Sequence, residues 1–442
     1  MESQRIGTLL CREGYTQQLH KAMRKYLPAR GLALQSDDRR VRWTDRLLVM
    51  MSLLMSWQPA RTLLEAFEAA REVLVEMYPS RRRPGESLAG YLEAVQHASD
   101  DLVQTVSCAL RRHVQEVAGS LWSWRRWVVL AVDGTRIDVP RTAANEEVFG
   151  CAGKSKTTPQ QFLTTVFHVA SGLIWDYRRG KGVDDERDHL RLMLATLPSD
   201  ALLLMDAGYR GYGLLGSLMH GGRDFIVRVG RNVTLLRKLG YYVREYEGIV
   251  YLWPDRRRSR NEPLVLRCVQ IRSGPRRVVL LTSVLDRSEL SDQDVAQWYR
   301  QRWHVEVNFR SLKQTLGKRK MLSDAPHKAQ VELDWAVMGL WLLALTLADA
   351  APPGQRCRGS IATALRAVRR AMRDRGRRVP AGGLLGQLRR ARRDGYVRDR
   401  RKNARDWPHK KHDQPCGQPT IRTATRMEVR QAKELMKHRV PA

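Results

Sequence analysis

Residues 127–135 read WVVLAVDGT, and the fold turns on how they are taken. Trp127–Val132 is a continuous apolar run, too short for a helix and closed by Asp133-Gly134-Thr135. It reads as a strand buried on both faces. The same pattern returns at Ala201–Met205 (ALLLM), closed by Asp206-Ala207-Gly208-Tyr209. Between the two, Phe162–Val169 and Leu173–Tyr177 are split by Ser171-Gly172 and predict a hairpin. Glu186–Leu197 predicts a helix ended by Pro198, and a short helix (Gly213–His220) and a strand (Phe225–Val229) follow the second run.

The order strand, hairpin, helix, strand, helix, strand is that of a ribonuclease-H-like α/β layer. In such a layer, side chains at strand C-termini project into the active crevice. Asp133 and Asp206 stand at two such ends, although each could instead do no more than start a turn. Asp138 competes with Asp133 but lies five residues further from the end of the apolar run, so it ranks second.

A third carboxylate comes from Tyr299–Lys313, YRQRWHVEVNFRSLK. On a continuous helix Tyr299, Arg302, Glu306 and Lys313 fall within an arc of roughly 60°. Val305, Phe309, Leu312 and Leu316 form a neighbouring apolar stripe that can bury. Such a face could also be a solvated row of ion pairs, but Tyr and Trp seldom accompany the charges of a surface helix.

Around this centre the chain divides by composition. Residues 1–120 predict a helical N-terminal domain (Leu47–Trp57, Ala60–Met77 and Leu88–Val95) that could bind DNA or serve as a plain helical subdomain. Residues 121–229 carry the first part of the core. Residues 230–288 predict a β-rich insertion of short runs: Val233–Leu236, Tyr241–Tyr246, Ile249–Trp253, Leu264–Ile271 and Arg277–Thr282. Residues 289–350 return to the core with the acidic helix and the apolar run Trp335–Ala348, which is shorter than the ~20 residues of a membrane span and reads as a core helix. Residues 351–442 hold 26 Lys+Arg against 7 Asp+Glu and predict a basic helical region leading into a partly disordered tail.

The whole chain carries 78 Lys+Arg against 46 Asp+Glu, a net charge of +32. That imbalance calls for a polyanionic partner, nucleic acid by default. No amphipathic or lipidated anchor suggests a membrane, and the N-terminal residues lack a signal-peptide pattern, so a cytoplasmic protein is expected. Six scattered cysteines read as reduced thiols.

Two strand-end aspartates and a helical glutamate offer hard oxygen donors of the kind that hold two Mg²⁺ ions, with Mn²⁺ able to substitute. Such a pair, roughly 3.5–4 Å apart, drives in-line phosphoryl transfer. Arg302 and Lys313 would neutralise phosphates and Tyr299 would hydrogen-bond to one.

The spacing Tyr299-x2-Arg302-x3-Glu306-x6-Lys313, together with the Asp133 and Asp206 blocks, resembles the YREK signature of hairpin-forming bacterial DDE transposases of the insertion-sequence-four family. The resemblance, over roughly residues 40–350, implies a ribonuclease-H-like core and a metal-binding triad of Asp133, Asp206 and Glu306. It further implies cut-and-paste transposition through a hairpin, with Tyr299, Arg302 and Lys313 gripping double-stranded DNA. The partners would be terminal inverted repeats and target DNA, bound by a homodimer in a synaptic complex. Family members also stack a flipped base on a Trp of the β insertion, for which Trp253 is the candidate, with a core position as the alternative. Two other readings remain open: a ribonuclease-H-like nuclease without strand transfer, and a transposase-derived DNA-binding protein that does not cut.

Overall fold

The apolar run at residue 127 opens a strand longer than its sequence suggests: β1 spans Val128–Asp138 and passes through Asp133 without ending there. The expectation that Asp133 closes the strand is thereby corrected. The far end of β1 is held instead by a bridge between Asp138 and Lys320, with the Met321 amide donating to the Asp138 carbonyl. The computed structural model of the chain describes residues 14–28, 31–32, 41–79, 83–152, 157–242, 244–254, 261–273, 276–351, 359–374, 382–392 and 416–437. It divides into two units, one of Met1–Trp122, Gly134–Asp185 and His304–Asp394, the other of Ser123–Asp133, Glu186–Trp303 and Gly395–Ala442.

The first unit is mostly helical. Its N-terminal helices are α1 (Tyr15–Tyr26), α2 (Asp45–Trp57), α3 (Leu63–Met77) and α4 (Leu88–Ala118). The sequence reading stopped α4 at Val95, but no Gly or Pro interrupts the amphipathic pattern until Gly119, whose φ of 54° lies in the left-handed region. After the short α5 (Ala143–Phe149), β2 (Gln160–His168) and β3 (Leu173–Lys181) form the expected antiparallel hairpin, with Gly172 at φ 71° in the turn.

The core of this unit is α10 (Pro326–Ala350), which packs on α4 and α2. It is apolar nearly all round, as a helix buried on every side must be. Its length and composition would let it cross a membrane, yet 83% of its apolar window is buried inside the protein. Gly339 marks its closest approach to α2: a β-carbon there would collide with the Ser56 hydroxyl, and the Trp57 indole donates to the Gly339 carbonyl at 3.0 Å. The buried Asp334 carboxylate receives Arg179 Nε at 2.7 Å and the Tyr177 hydroxyl at 2.9 Å, pinning the hairpin to α10. Two basic helices, α11 (Ile361–Arg373) and α12 (Gly383–Arg390), also belong here; α11 buries Leu365, Val368 and Met372 and turns Arg366, Arg370 and Arg373 outward.

The second unit is built on a sheet. From β1 its strand order is β1, β4 (Ala201–Met205), β5 (Asp224–Val229), β9 (Arg276–Thr282), β8 (Leu264–Ser273), β7 (Ile249–Leu252), β6 (Thr234–Arg237) and β10 (Thr420–Thr423). The pairs β1/β4 and β4/β5 are parallel, and β5/β9 is antiparallel. The β-rich stretch after residue 230 therefore continues the sheet of the core strands. Of its five expected strands, Tyr241–Tyr246 forms none among the described residues; Tyr241 is buried there and Tyr251 Oη accepts from the Tyr242 amide. Helices α6 (Glu186–Met193), α7 (Tyr212–His220) and α8 (Asp292–Gln301) complete the unit, with α8 started by a Ser291/Asp294 capping box.

The basic C-terminal region is shared between the units. Residues 416–437 return to the second unit, where β10 pairs with β6 and α13 (Arg426–Lys437) follows. Of the tail expected to be partly disordered, residues 393–415 lie outside the described residues, and the part after them forms β10 and α13.

Trp253 sits in a small core with Leu236, Tyr241, Ile249, Tyr251 and, from α13, Ala432. It is 2% exposed, and its indole donates to the Asn261 carbonyl at 2.7 Å. The expectation that it stacks on a flipped base is thus corrected: a ring enclosed by its own core has no free face to offer. Trp253→Ala is expected to cost about 3–5 kcal/mol in a denaturant melt. A melt unchanged from that of the parent would contradict the core assignment.

Candidate active site

The acidic site of the second unit follows from strand register. The parallel pairing of β1 and β4 runs from Val128↔Ala201 to Ala131↔Leu204. Carried two residues further, that register sets Asp133 beside Asp206, on neighbouring strands about 4.8 Å apart. Asp206 leaves β4 and caps a short 3₁₀ turn, Ala207–Tyr209, its Oδ1 accepting from the Gly208 amide at 2.8 Å. That bond fixes the direction of the carboxylate.

Opposite the aspartates stands the end of α8. Arg302 Nη1 donates to Asp133 Oδ2 at 3.1 Å, both side chains being largely buried. Its guanidinium lies 5.8 Å from the centre of the Tyr299 ring. Burial alone would make Arg302 easier to deprotonate, but Tyr299, Asp133 and Asp206 outweigh it and hold the guanidinium charged. Burial pushes the Tyr299 phenol up, against the pull of Arg302 and Arg228. Four residues expected at the site, Asp133, Asp206, Tyr299 and Arg302, thus share one unit.

The other two lie in the first unit. The continuous helix expected over Tyr299–Lys313 does not form: α8 ends at Gln301, and the Trp303 amide reaches back only three residues, to the Arg300 carbonyl. The chain resumes as α9 (His304–Arg310), which holds Glu306, and then widens into a π-helical turn, Ser311–Thr315, which holds Lys313. There the Leu316 amide bonds five residues back to the Ser311 carbonyl. A face drawn at 100° per residue across the whole stretch therefore does not describe it. The apolar stripe does hold, with Val305, Phe309, Leu312 and Leu316 all buried. Burial lowers the Lys313 pKa, opposed by the nearby Asp138 carboxylate, which also accepts from Gln160 Nε2 at 2.7 Å.

Sequence reasoning missed two members of the acidic site, Tyr209 and Glu186. Tyr209 is fully buried; burial first, then Glu186, Asp133 and Asp206, drive its phenol pKa well above the usual tyrosine range, and Arg302 opposes them. Glu186 opens α6, where an acid is the ordinary first-turn choice, so nothing in the sequence set it apart. By kind, these carboxylates suit a hard divalent cation. Among the described residues, however, no three His, Cys, Asp or Glu side chains are gathered closely enough to hold a metal ion.

The second unit thus sets two register-matched aspartates beside a largely buried arginine. Residues 125–342 match the family described as transposase DDE domain. The chain is also similar to the transposase InsG for insertion sequence element IS4 of Escherichia coli (strain K12), 23% identical over 308 residues that cover 64% of this chain and 67% of the relative. Among solved structures it is similar to the piggyBac transposase in a synaptic complex with hairpin DNA, at a TM-score of 0.41 and 10% identity, covering 83% of this chain and 81% of that one. The chain carries a transposase DDE domain, the mark of a DDE-type transposase acting on DNA, and is similar to an insertion-sequence-four transposase. DDE transposases use divalent metal ions.

Proposed function

We propose that this transposase nicks the ends of an insertion sequence, releases it through a hairpin intermediate and joins it to target DNA. Asp133, Asp206 and Glu306 are the proposed catalytic carboxylates. The observation that carries the reading is the register match of Asp133 and Asp206 across β1 and β4, inside the stretch that matches the DDE domain. The chain order β1, β2–β3, α6, β4, α7, β5 supports a ribonuclease-H-like fold for the catalytic core. Glu306 rests on the sequence signature.

Two Mg²⁺ ions, held by the three carboxylates, would activate the attacking water or 3′-hydroxyl and stabilise the leaving oxygen. The protein's own groups do the rest. The Gly208 amide keeps Asp206 Oδ1 oriented, so that little reorganisation is left for the moment of reaction. Arg302 and Tyr299, paired at the edge of the acidic site, can exchange the Asp133 contact for a DNA phosphate. Lys313 is the proposed further phosphate contact. A homodimer that holds two element ends is the proposed assembly.

The basic helices of the first unit supply a track for DNA. A groove of about 640 Å³ is lined by Arg366, Arg369, Arg370, Arg373, Arg390 and Gln387, with no acidic residue among the described lining. Arg369 is partly committed, its Nε donating to the Trp57 carbonyl at 2.7 Å. Arg370 and Arg373 pair with Asp374 at 3.7 and 3.1 Å, contacts that a phosphate can replace, and with Arg366 and Arg390 they suit a phosphate backbone, which is recognised by charge and geometry more than by sequence.

The test of the third carboxylate is Glu306→Gln. It is expected to lower end cleavage in Mg²⁺ by about 10³-fold while end binding stays within a few-fold. A loss of binding as large as the loss of cleavage would take Glu306 out of the catalytic set.

A further inference from the structure

We propose that a second cavity of the first unit is a phosphate site that continues the arginine groove, so that one DNA backbone runs from α11 and α12 to the turn that holds Lys313; the proposal rests on the DNA-binding reading above. The cavity, of about 280 Å³, is lined by residues 58–60 after α2, by residues 314–316 of the π-helical turn and its end, and by Arg369 of α11. Its cations are Lys318, Lys320 and Arg369, and no acid is among the described lining. Arg369 lines the arginine groove as well and so joins the two.

The first support is Arg369 itself. It is half-buried, and its Nε is fixed on the Trp57 carbonyl at 2.7 Å. Burial lowers its pKa, and no carboxylate acts against that shift. A guanidinium drawn out of water without a counter-anion is costly, and its remaining N–H groups suit two oxygens of one phosphate.

The second is Lys320. Its backbone is held from both sides. The Met321 amide donates to the Asp138 carbonyl at 2.8 Å, and Glu332 of α10 accepts from the Leu322 and Ser323 amides at 2.8 and 3.1 Å. Glu332 also engages Lys318 at 3.4 Å. The Lys320 side chain is exposed and has no partner among the described residues, which makes it the cation open to a ligand. A charge carried on a fixed backbone meets phosphate at a low ordering cost.

Continuity supplies the third. Gln314 and Thr315 belong to the same π-helical turn as Lys313 and line the cavity. Their amide and hydroxyl are donors of the kind that position a DNA backbone.

Salt titrations of end-DNA binding by the full-length chain test this, with thermal melts to check folding. Lys320→Gln is expected to make the slope of log K against log salt shallower by about 0.9, the value of one phosphate contact. Adding Arg369→Gln should bring the change to about 1.8. Arg319→Gln removes the same charge from the neighbouring exposed residue, which does not line the cavity, and should change the slope by less than half as much as Lys320→Gln. An unchanged slope for Lys320→Gln, or equal flattening by Arg319→Gln, overturns the proposal. Flattening by Gln at Arg366, Arg370, Arg373 and Arg390 in that case leaves the DNA-binding reading standing. If Arg369→Gln does not fold, the comparison of Lys320→Gln with Arg319→Gln decides alone. A parent chain whose affinity for DNA does not fall with salt overturns both.

Discussion

Asp206→Asn is expected to lower strand cleavage by about 10³-fold or more while DNA affinity stays within about threefold. The asymmetry follows from geometry. The Asp206 carboxylate is spent on the Gly208 amide and on the acidic site, and Asn keeps both the shape and an oxygen able to accept from that amide. What Asn cannot supply is the negative charge that holds a hard cation. Binding to DNA depends instead on cationic surface, which the substitution leaves intact and even relieves of one like charge facing phosphate. Cleavage of end DNA in Mg²⁺, beside a filter or gel-shift titration of the same substrate, separates the two effects. A drop in affinity as deep as the drop in cleavage would mean that Asp206 supports the fold or the DNA contact and not the chemistry.

The second large effect is expected from the arginine groove. Replacing Arg366, Arg370, Arg373 and Arg390 by Gln removes four of the guanidiniums that line it and spares Arg369, which holds the Trp57 carbonyl. Each phosphate contact releases counterions, and log K falls with log salt at a slope of about −0.9 per contact. If all four arginines meet phosphates, the slope becomes shallower by about 3 to 4. The affinity lost between 50 and 200 mM salt then shrinks by about 10²-fold. A salt titration of DNA binding reads this directly, and an unchanged slope would mean that the groove is not on the DNA path. Because these side chains project from the outer face of α11 and the end of α12, while Leu365, Val368, Leu384 and Leu388 carry the packing, the melt should move little.

Much of this structure was open to reading from residue pattern alone, and the failures have identifiable causes. Ala201–Met205 was bounded to the residue because five apolar positions lie between a Pro-Ser-Asp turn and Asp206. β1 ran past its expected end because Asp133-Gly134-Thr135 has turn propensity, whereas tertiary pairing at Asp138 keeps those residues extended. The break after Gln301 was invisible because neither Gly nor Pro marks it, and the π-helical turn at Ser311–Thr315 has no sequence signature at all. Trp253 misled for a different reason. Part of the core that encloses it, Ala432 with Leu435 and Met436, arrives from α13, about 180 residues later, and no local window can report that.

The site divides in the same way. Asp133 and Asp206 were legible because each ends a buried apolar run, a local property. Arg302 was legible as a charged residue in a signature, but its bond to Asp133 is not encoded by spacing. Glu186 was hidden altogether, since its place over the Asp206 turn depends on the missing side chain at Gly208, twenty-two residues away.

The reaction proposed for this transposase is metal-dependent DNA strand cleavage at the Asp133/Asp206 site. The most direct test is to incubate the purified chain with labelled DNA carrying the element's own ends, with Mg²⁺ or with EDTA, alongside Asp133→Asn. Nicks with 3′-hydroxyl ends that mature into hairpins are expected in Mg²⁺, and no product with EDTA or with the variant. Cleavage that persists with EDTA, or equal cleavage by Asp133→Asn, would contradict it.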